Sequence, residues 1–112
     1  MRPLGVDVSH WDGAIDWPTV KNAGYEFAFI KSSGSDSASN YTDSQYAANI
    51  ANSTAAEMIV GVYHFADPTR PSTPQQQANY FLSVAGSRMT TGYLPPVLDL
   101  ETGQDALAQS ES

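Results

Sequence analysis

The feature that most constrains the fold is an alternation without sequence repetition: a short apolar run, polar residues at its end, then a stretch patterned as helix. Leu4-Gly5-Val6-Asp7-Val8 is the first run. Phe27-Ala28-Phe29-Ile30, ending at Lys31, is the second, and Ile59-Val60-Gly61-Val62-Tyr63-His64-Phe65 is the third. Pro95-Pro96, which blocks helix, leads into the fourth, Val97-Leu98-Asp99-Leu100-Glu101. Runs that are apolar on both faces suit strands of a parallel sheet covered by helices. Asp16 can cap a short helix with Pro18 in its first turn, and Gly24 suits the left-handed residue after its end. Residues 32–40, rich in Ser, Gly and Asp, read as a loop. Thr42 and Gln45 have capping-box spacing for a second helix, with Tyr46, Ala47, Ile50, Ala51 and Thr54 on one face. Residues 67–71 read as another loop. Thr73, Pro74 and Gln76 open a third helix, with Ala78, Phe81, Leu82 and Ala85 as its buried face and Gly86 as its stop. Residues 102–112 read as the start of a further loop or helix. The order is βαβαβαβ and the class α/β.

The chain has 112 residues, enough for one small domain or part of a larger one. With 41% apolar and 15% charged residues it has globular, not disordered, composition. Five scattered Lys and Arg against 12 Asp and Glu give a net charge of −7. Nucleic acid and anionic membrane surfaces, which need clustered positive charge, are therefore not expected partners. No apolar run is long enough to span a bilayer, and residues 1–5 lack the apolar core of a signal peptide. The absence of cysteine excludes disulfides, thiolate zinc sites and a Cys nucleophile.

In parallel α/β folds, ligands bind and chemistry occurs at the C-terminal ends of the strands. Each run here ends in groups unusual for a core: Asp7 and Ser9-His10, then Lys31-Ser32, then Tyr63 and His64, then Asp99 and Glu101. Four strand ends therefore aim polar residues at one edge, which marks a candidate active site. Asp99 and Glu101 are two apart on a strand, so their side chains leave the same face, with Cα atoms roughly 6–7 Å apart. Two carboxylates this close in a partly dry cleft do not both ionise easily. One becomes a proton donor beside a negative stabiliser, the division of labour that glycosidic cleavage needs. The spacing does not choose the stereochemical outcome, because rotamers span both the ~5 Å retaining and the ~6.5–9.5 Å inverting separations.

Other readings stand beside this one. An Asp-x-Glu pair also caps helices. His64 fits a hydrogen-bonded interior histidine, His10 and Trp11 fit packing of the first loop, Lys31 fits pairing with a carboxylate, and Tyr63 fits the core. A metal-dependent hydrolase would draw zinc ligands from Asp7, His10, His64, Asp99 and Glu101, but no His-x-His or His-Glu-x-x-His spacing supports it, and no cofactor is expected. A non-catalytic glycan-binding module would use Tyr63, Trp11 and the carboxylates to hold a sugar without cutting it.

The segments Gly5-Val6-Asp7-Val8-Ser9-His10-Trp11-Asp12-Gly13, Ile15-Asp16-Trp17 and Phe27-Ala28-Phe29-Ile30-Lys31 resemble the opening of glycoside hydrolase family 25, the Chalaropsis-type lysozymes or N-acetylmuramidases. Val60-Gly61-Val62-Tyr63-His64-Phe65-Ala66 resembles the family's third-strand motif, and Leu94-Pro95-Pro96-Val97-Leu98-Asp99-Leu100-Glu101 its fourth-strand signature. The resemblance covers residues 4–101. It implies a TIM-type β/α barrel, present here as a half barrel of about four parallel strands with interleaved helices. Residues 1–112 would then be the N-terminal part of one catalytic domain.

The implied activity is hydrolysis of the β-1,4 bond between N-acetylmuramic acid and N-acetylglucosamine in peptidoglycan, in an extracellular or wall-acting setting. By resemblance, Glu101 is the general acid. Asp99 stabilises developing positive charge or orients the acetamido group, Asp7 is the first-strand acid of the site, and Tyr63 contacts sugar. His64, His10, Trp11 and Lys31 complete the expected substrate-binding set. Acetamido participation and direct water attack both remain open.

Two departures are visible. Family members are typically close to twice this length, and their later strands add another active-site Asp with no counterpart here. Ser32-Ser33-Gly34-Ser35 also stands where Ala-Thr-Glu-Gly is more typical. A half barrel would expose sheet edges, so the chain alone is expected to be marginally stable or self-associating, and weakly active or inactive.

Overall fold

The structure, a computed structural model, describes residues 3–35, 40–67 and 73–100. Strands β1 (Leu4–Val8), β2 (Tyr25–Ser35), β4 (Ile59–Ala66) and β5 (Val97–Leu100) form a parallel sheet in the order β1-β2-β4-β5. The register pairs Val8 with Ile30, Ile30 with Val62, and Tyr63 with Val97. Helices α1 (Trp17–Asn22), α2 (Tyr46–Ala55) and α3 (Pro74–Ala85) connect the parallel strands. Short β3 (Asn40–Thr42) pairs antiparallel with the end of β2.

Local signals place two helices where the sequence reading put them. Asp16 caps α1 by accepting the Thr19 N–H at 3.3 Å, and Gly24 beyond it has φ 102°. Thr73 and Gln76 form a reciprocal capping box at the start of α3, with bonds of 3.1 and 2.8 Å. The buried face of α3 includes Phe81 and Ala85 as expected, but Gln77 is buried while Leu82 is 57% exposed. Gln77 is stable there because its amide bridges Asp67, donating to the carbonyl at 2.8 Å and accepting the N–H at 3.1 Å.

Two expectations fail for a common reason. Residues 32–35 are not loop; they extend β2, and Ser32 and Ser33 are fully buried. Beyond Val8 the flank vacated by β1 is taken by β3, so this end of β2 is paired on both sides. Buried hydroxyls are tolerated because they are bonded: Ser32 Oγ donates to the Tyr63 carbonyl at 3.1 Å, and Ser33 Oγ meets His64 Nδ1 at 2.8 Å. Drawing Thr42 into β3 also cancels the expected Thr42–Gln45 capping box. Helix α2 starts at Tyr46 without a side-chain cap, and Asp43 receives the Gln45 N–H instead. Its inner face is Asn49, Ile50 and Ser53, while Ala47, Ala51 and Thr54 are exposed. Asn49 is turned inward toward Trp17, whose indole N–H donates to it at 3.4 Å.

The core lies between the sheet and the helices: Val8, Trp17, Ala28, Ile30, Ile50, Met58, Val60, Val62, Phe81 and Ala85. On each strand the alternate residues face the other way. There Phe27 and Phe29 sit edge to face, 6.3 Å apart. Gly61 makes room for this layer, since a Cβ on it would lie 2.8 Å from Leu94 Cβ and 2.9 Å from the Phe29 ring.

Candidate active site

The face opposite the core opens, toward the C-terminal ends of the strands, into a cleft of about 280 Å³ lined by Asp7, Phe29, Tyr63, Val97 and Asp99. Three sequence-derived candidates from three different strands thus meet in one place. Asp7 stands beside Phe29 in register, Tyr63 beside Val97, and Asp99 beside Phe65, so the sheet itself sets their spacing. The Tyr63 hydroxyl reaches past β2 to donate to the Val8 carbonyl at 3.2 Å, which pins the phenol across the cleft floor. Burial, followed by the charges of Asp7 and Asp99, pushes the Tyr63 pKa well above the usual phenol value. The ring therefore stays a neutral hydrogen-bond donor beside two carboxylates. Glu101 lies outside the described residues.

Lys31 is close by but does not pair with a carboxylate among the described residues. It is 4% exposed, its ammonium donates to the Tyr41 hydroxyl at 2.6 Å, and it sits 5.0 Å from the ring centres of both Tyr41 and Phe65. A phenol oxygen and two π faces solvate the cation in place of an acid. His10 and Trp11 belong to the turn after β1. The His10 ring Nδ1 lies 2.8 Å from buried Asp43, and Trp11 is 83% exposed.

Comparison with known proteins decides the family. The sequence profile of glycosyl hydrolases family 25 matches residues 6–112. The chain belongs to that family. It is 45% identical over 98 residues to lysozyme M1 of Streptomyces globisporus, covering 87% of this chain and 32% of that protein. It is 32% identical over 99 residues to the N,O-diacetylmuramidase of Chalaropsis sp, covering 88% and 46%. Among solved structures, a bacterial lysozyme from Streptomyces coelicolor is 42% identical with a TM-score of 0.73, covering 88% of this chain and 44% of that one. A family 25 glycosyl hydrolase from Bacillus anthracis is 32% identical with a TM-score of 0.79, covering 96% and 46%. The chain therefore spans between about a third and a half of these relatives. Its parallel sheet with interleaved helices is part of the family's TIM-type barrel.

Within this family 25 framework, His64 needs correction as a substrate contact. It neighbours Tyr63 on β4 and therefore points to the opposite, helix-covered face, where it is fully buried 5.7 Å from the Phe81 ring. Ser33 Oγ at 2.8 Å from Nδ1 and Ser35 Oγ at 3.3 Å from Nε2 hold it. Burial lowers the His64 pKa below 6.5, assisted by the charge of Lys31 and opposed by a hydrogen bond with Gln77. The unfolded chain thus takes up this proton more readily than the folded one, so stability is full above about pH 6.5 and declines as pH falls through and below it. The urea midpoint should drop between pH 7 and pH 5, and His64→Gln should flatten that drop. An unchanged slope in the variant would contradict the assignment.

Sequence reasoning missed Asp43. Its side chain is buried and accepts the backbone N–H of His10 at 3.1 Å, the His10 ring, and the N–H of Gln45. The available signal was an Asp two residues before Gln45, an Asx-turn spacing hidden behind the apparent capping box. Among the described residues no cluster of His, Asp or Glu could hold a metal ion, and no helix is long and apolar enough to cross a membrane.

Proposed function

We propose that the protein carrying this chain is a muramidase that hydrolyses the β-1,4 bond between N-acetylmuramic acid and N-acetylglucosamine in peptidoglycan, acting outside the cell or at the wall. The observation that carries this reading is the convergence of Asp7, Tyr63 and Asp99 on one cleft at the C-terminal sheet edge, in a chain of family 25. Glu101, two residues after Asp99 on the same strand motif, is the general acid that protonates the leaving oxygen. Asp99 stabilises the positive charge developing at the sugar ring or orients its acetamido group, and Asp7 adds negative potential from the facing strand. Tyr63, kept protonated by burial and by these same acids, gives its proton to the Val8 carbonyl, so its oxygen accepts from a sugar hydroxyl and helps seat the ring. Residues 1–112 are the N-terminal part of one catalytic domain. Val97 and Leu98 on β5 are 40% and 55% exposed, apolar sheet surface that supports self-association. With a net charge of −7, approach to an anionic wall depends on salt screening, acidic pH or another attached domain.

The test is release of reducing ends from peptidoglycan. Asp99→Asn should lower the rate by about 10²–10³-fold while leaving the fold intact. Tight wall binding with no reducing ends from the unsubstituted protein would favour the glycan-binding module instead.

A further inference from the structure

A second cleft of about 330 Å³ is lined by His10, Trp11, Tyr41, Thr42, Asp43 and Ser44. We propose that it is a distal subsite in which one neutral sugar ring of the glycan strand stacks on the Trp11 indole. This deepens the muramidase reading and rests on it for the identity of the glycan.

The first argument is that Trp11 is exposed and yet held. A tryptophan 83% open to water is unusual for a residue of this size, and nothing in the core requires it there. Its turn is nonetheless rigid: the Ser9 N–H donates to Asp12 Oδ2 at 2.9 Å, and the Trp11 N–H donates to Ser9 Oγ at 3.2 Å. The His10 ring lies 4.6 Å from the indole and supports it from the side. An aromatic plate fixed before the ligand arrives loses little conformational entropy on binding.

The second argument is chemical. Asp43 has no exposed side-chain surface, and as a carboxylate it only accepts hydrogen bonds. His10 Nδ1 therefore carries the proton in that pair, and in neutral His10 this leaves Nε2 as an acceptor for a hydroxyl or amide N–H. Tyr41, Thr42 and Ser44 line the same cleft, the Tyr41 hydroxyl held by Lys31 at 2.6 Å and the Thr42 hydroxyl 2.8 Å from that of Tyr80. A flat apolar plate rimmed by such groups matches a pyranose, which has an apolar face and a polar edge. Asp43 and the chain's −7 charge disfavour an anionic occupant.

The third argument is position. Lys31 bonds Tyr41 of this cleft and lies over Phe65, whose register partner on β5 is Asp99 of the first cleft. A chain of neighbouring side chains therefore links the two clefts, which places the second within reach of a glycan strand that occupies the first.

Tryptophan fluorescence reads the occupancy directly, since Trp17 is 1% exposed and serves as an internal reference for the fold. Titration of the chain with a peptide-free peptidoglycan hexasaccharide should shift Trp11 emission. Trp11→Ala should weaken hexasaccharide binding about tenfold, and disaccharide binding by less. His10→Ala should weaken the hexasaccharide as well, with Trp17 emission unchanged. Equal hexasaccharide affinity in Trp11→Ala and the unsubstituted chain overturns the subsite while leaving hydrolysis untouched. Trp11-dependent binding without Glu101-dependent release of reducing ends by the whole protein that carries this chain overturns the muramidase reading while leaving the subsite.

Discussion

Glu101→Gln should reduce peptidoglycan hydrolysis by about 10²–10⁴-fold with glycan affinity largely retained. Glutamine keeps the size and the hydrogen-bonding reach of the carboxyl group but has no proton to give to the leaving oxygen. The loss should therefore fall on the chemical step and not on binding. The pH profile supplies a second, independent signature. A general acid works only while protonated, so the unsubstituted enzyme should lose rate as pH rises past the pKa of that carboxyl. This alkaline limb should vanish in Glu101→Gln, whose residual rate no longer depends on that ionisation. The measurement is initial rates of reducing-end release across pH, alongside wall binding at one pH. A variant within threefold of the unsubstituted rate would move the acid role to another residue.

Trp17→Ala should cost about 3–5 kcal/mol of folding free energy. Trp17 is the largest fully buried side chain among the described residues and joins α1 to α2 and the sheet through the central cluster. Truncation removes its packing and also the indole N–H bond to Asn49, leaving a buried amide with less compensation. Small domains have only about 5–15 kcal/mol in total, so this one change should unfold much of the population at 37 °C. Urea unfolding followed by circular dichroism should show a lower midpoint with an unchanged slope. Trp17→Phe, which keeps most of the packing and loses only the bond, should cost distinctly less. A loss under 1 kcal/mol for Trp17→Ala would mean that the cluster closes over the gap.

These two residues differ in how visible they were beforehand. Asp99 was legible because it closes an apolar strand run, where a parallel sheet opens to ligand, and the cleft holds it there; Glu101, proposed as the general acid, lies outside the described residues. Asp7 and Tyr63 were legible for a related reason: each sits late in an apolar run, where a parallel sheet opens to ligand. Trp17 could be read only as part of a helix start, because its burial depends on Asn49 and Ile50, distant in the chain.

What the sequence determined alone was the alternation of strand and helix, the caps of α1 and α3, and the place of Asp7 and Asp99 at the sheet's edge. All of these follow from local periodicity, capping chemistry and motif. What only the tertiary structure decided was which way polar residues turn once elements pack. Ser33 became buried strand because β3 and β4 pair with it from both sides, and Ser35 because β3 pairs with it, while Ser32 is held by the Tyr63 carbonyl. His64 became an interior residue because helix α3 covers its face of β4. Lys31 settled on a phenol and two rings, and Asp43 on His10, each over a contact that bridges separate elements. A side chain's local sequence states what it can bond. Which partner it receives is set by the neighbours that the chain's long-range pairing brings to it.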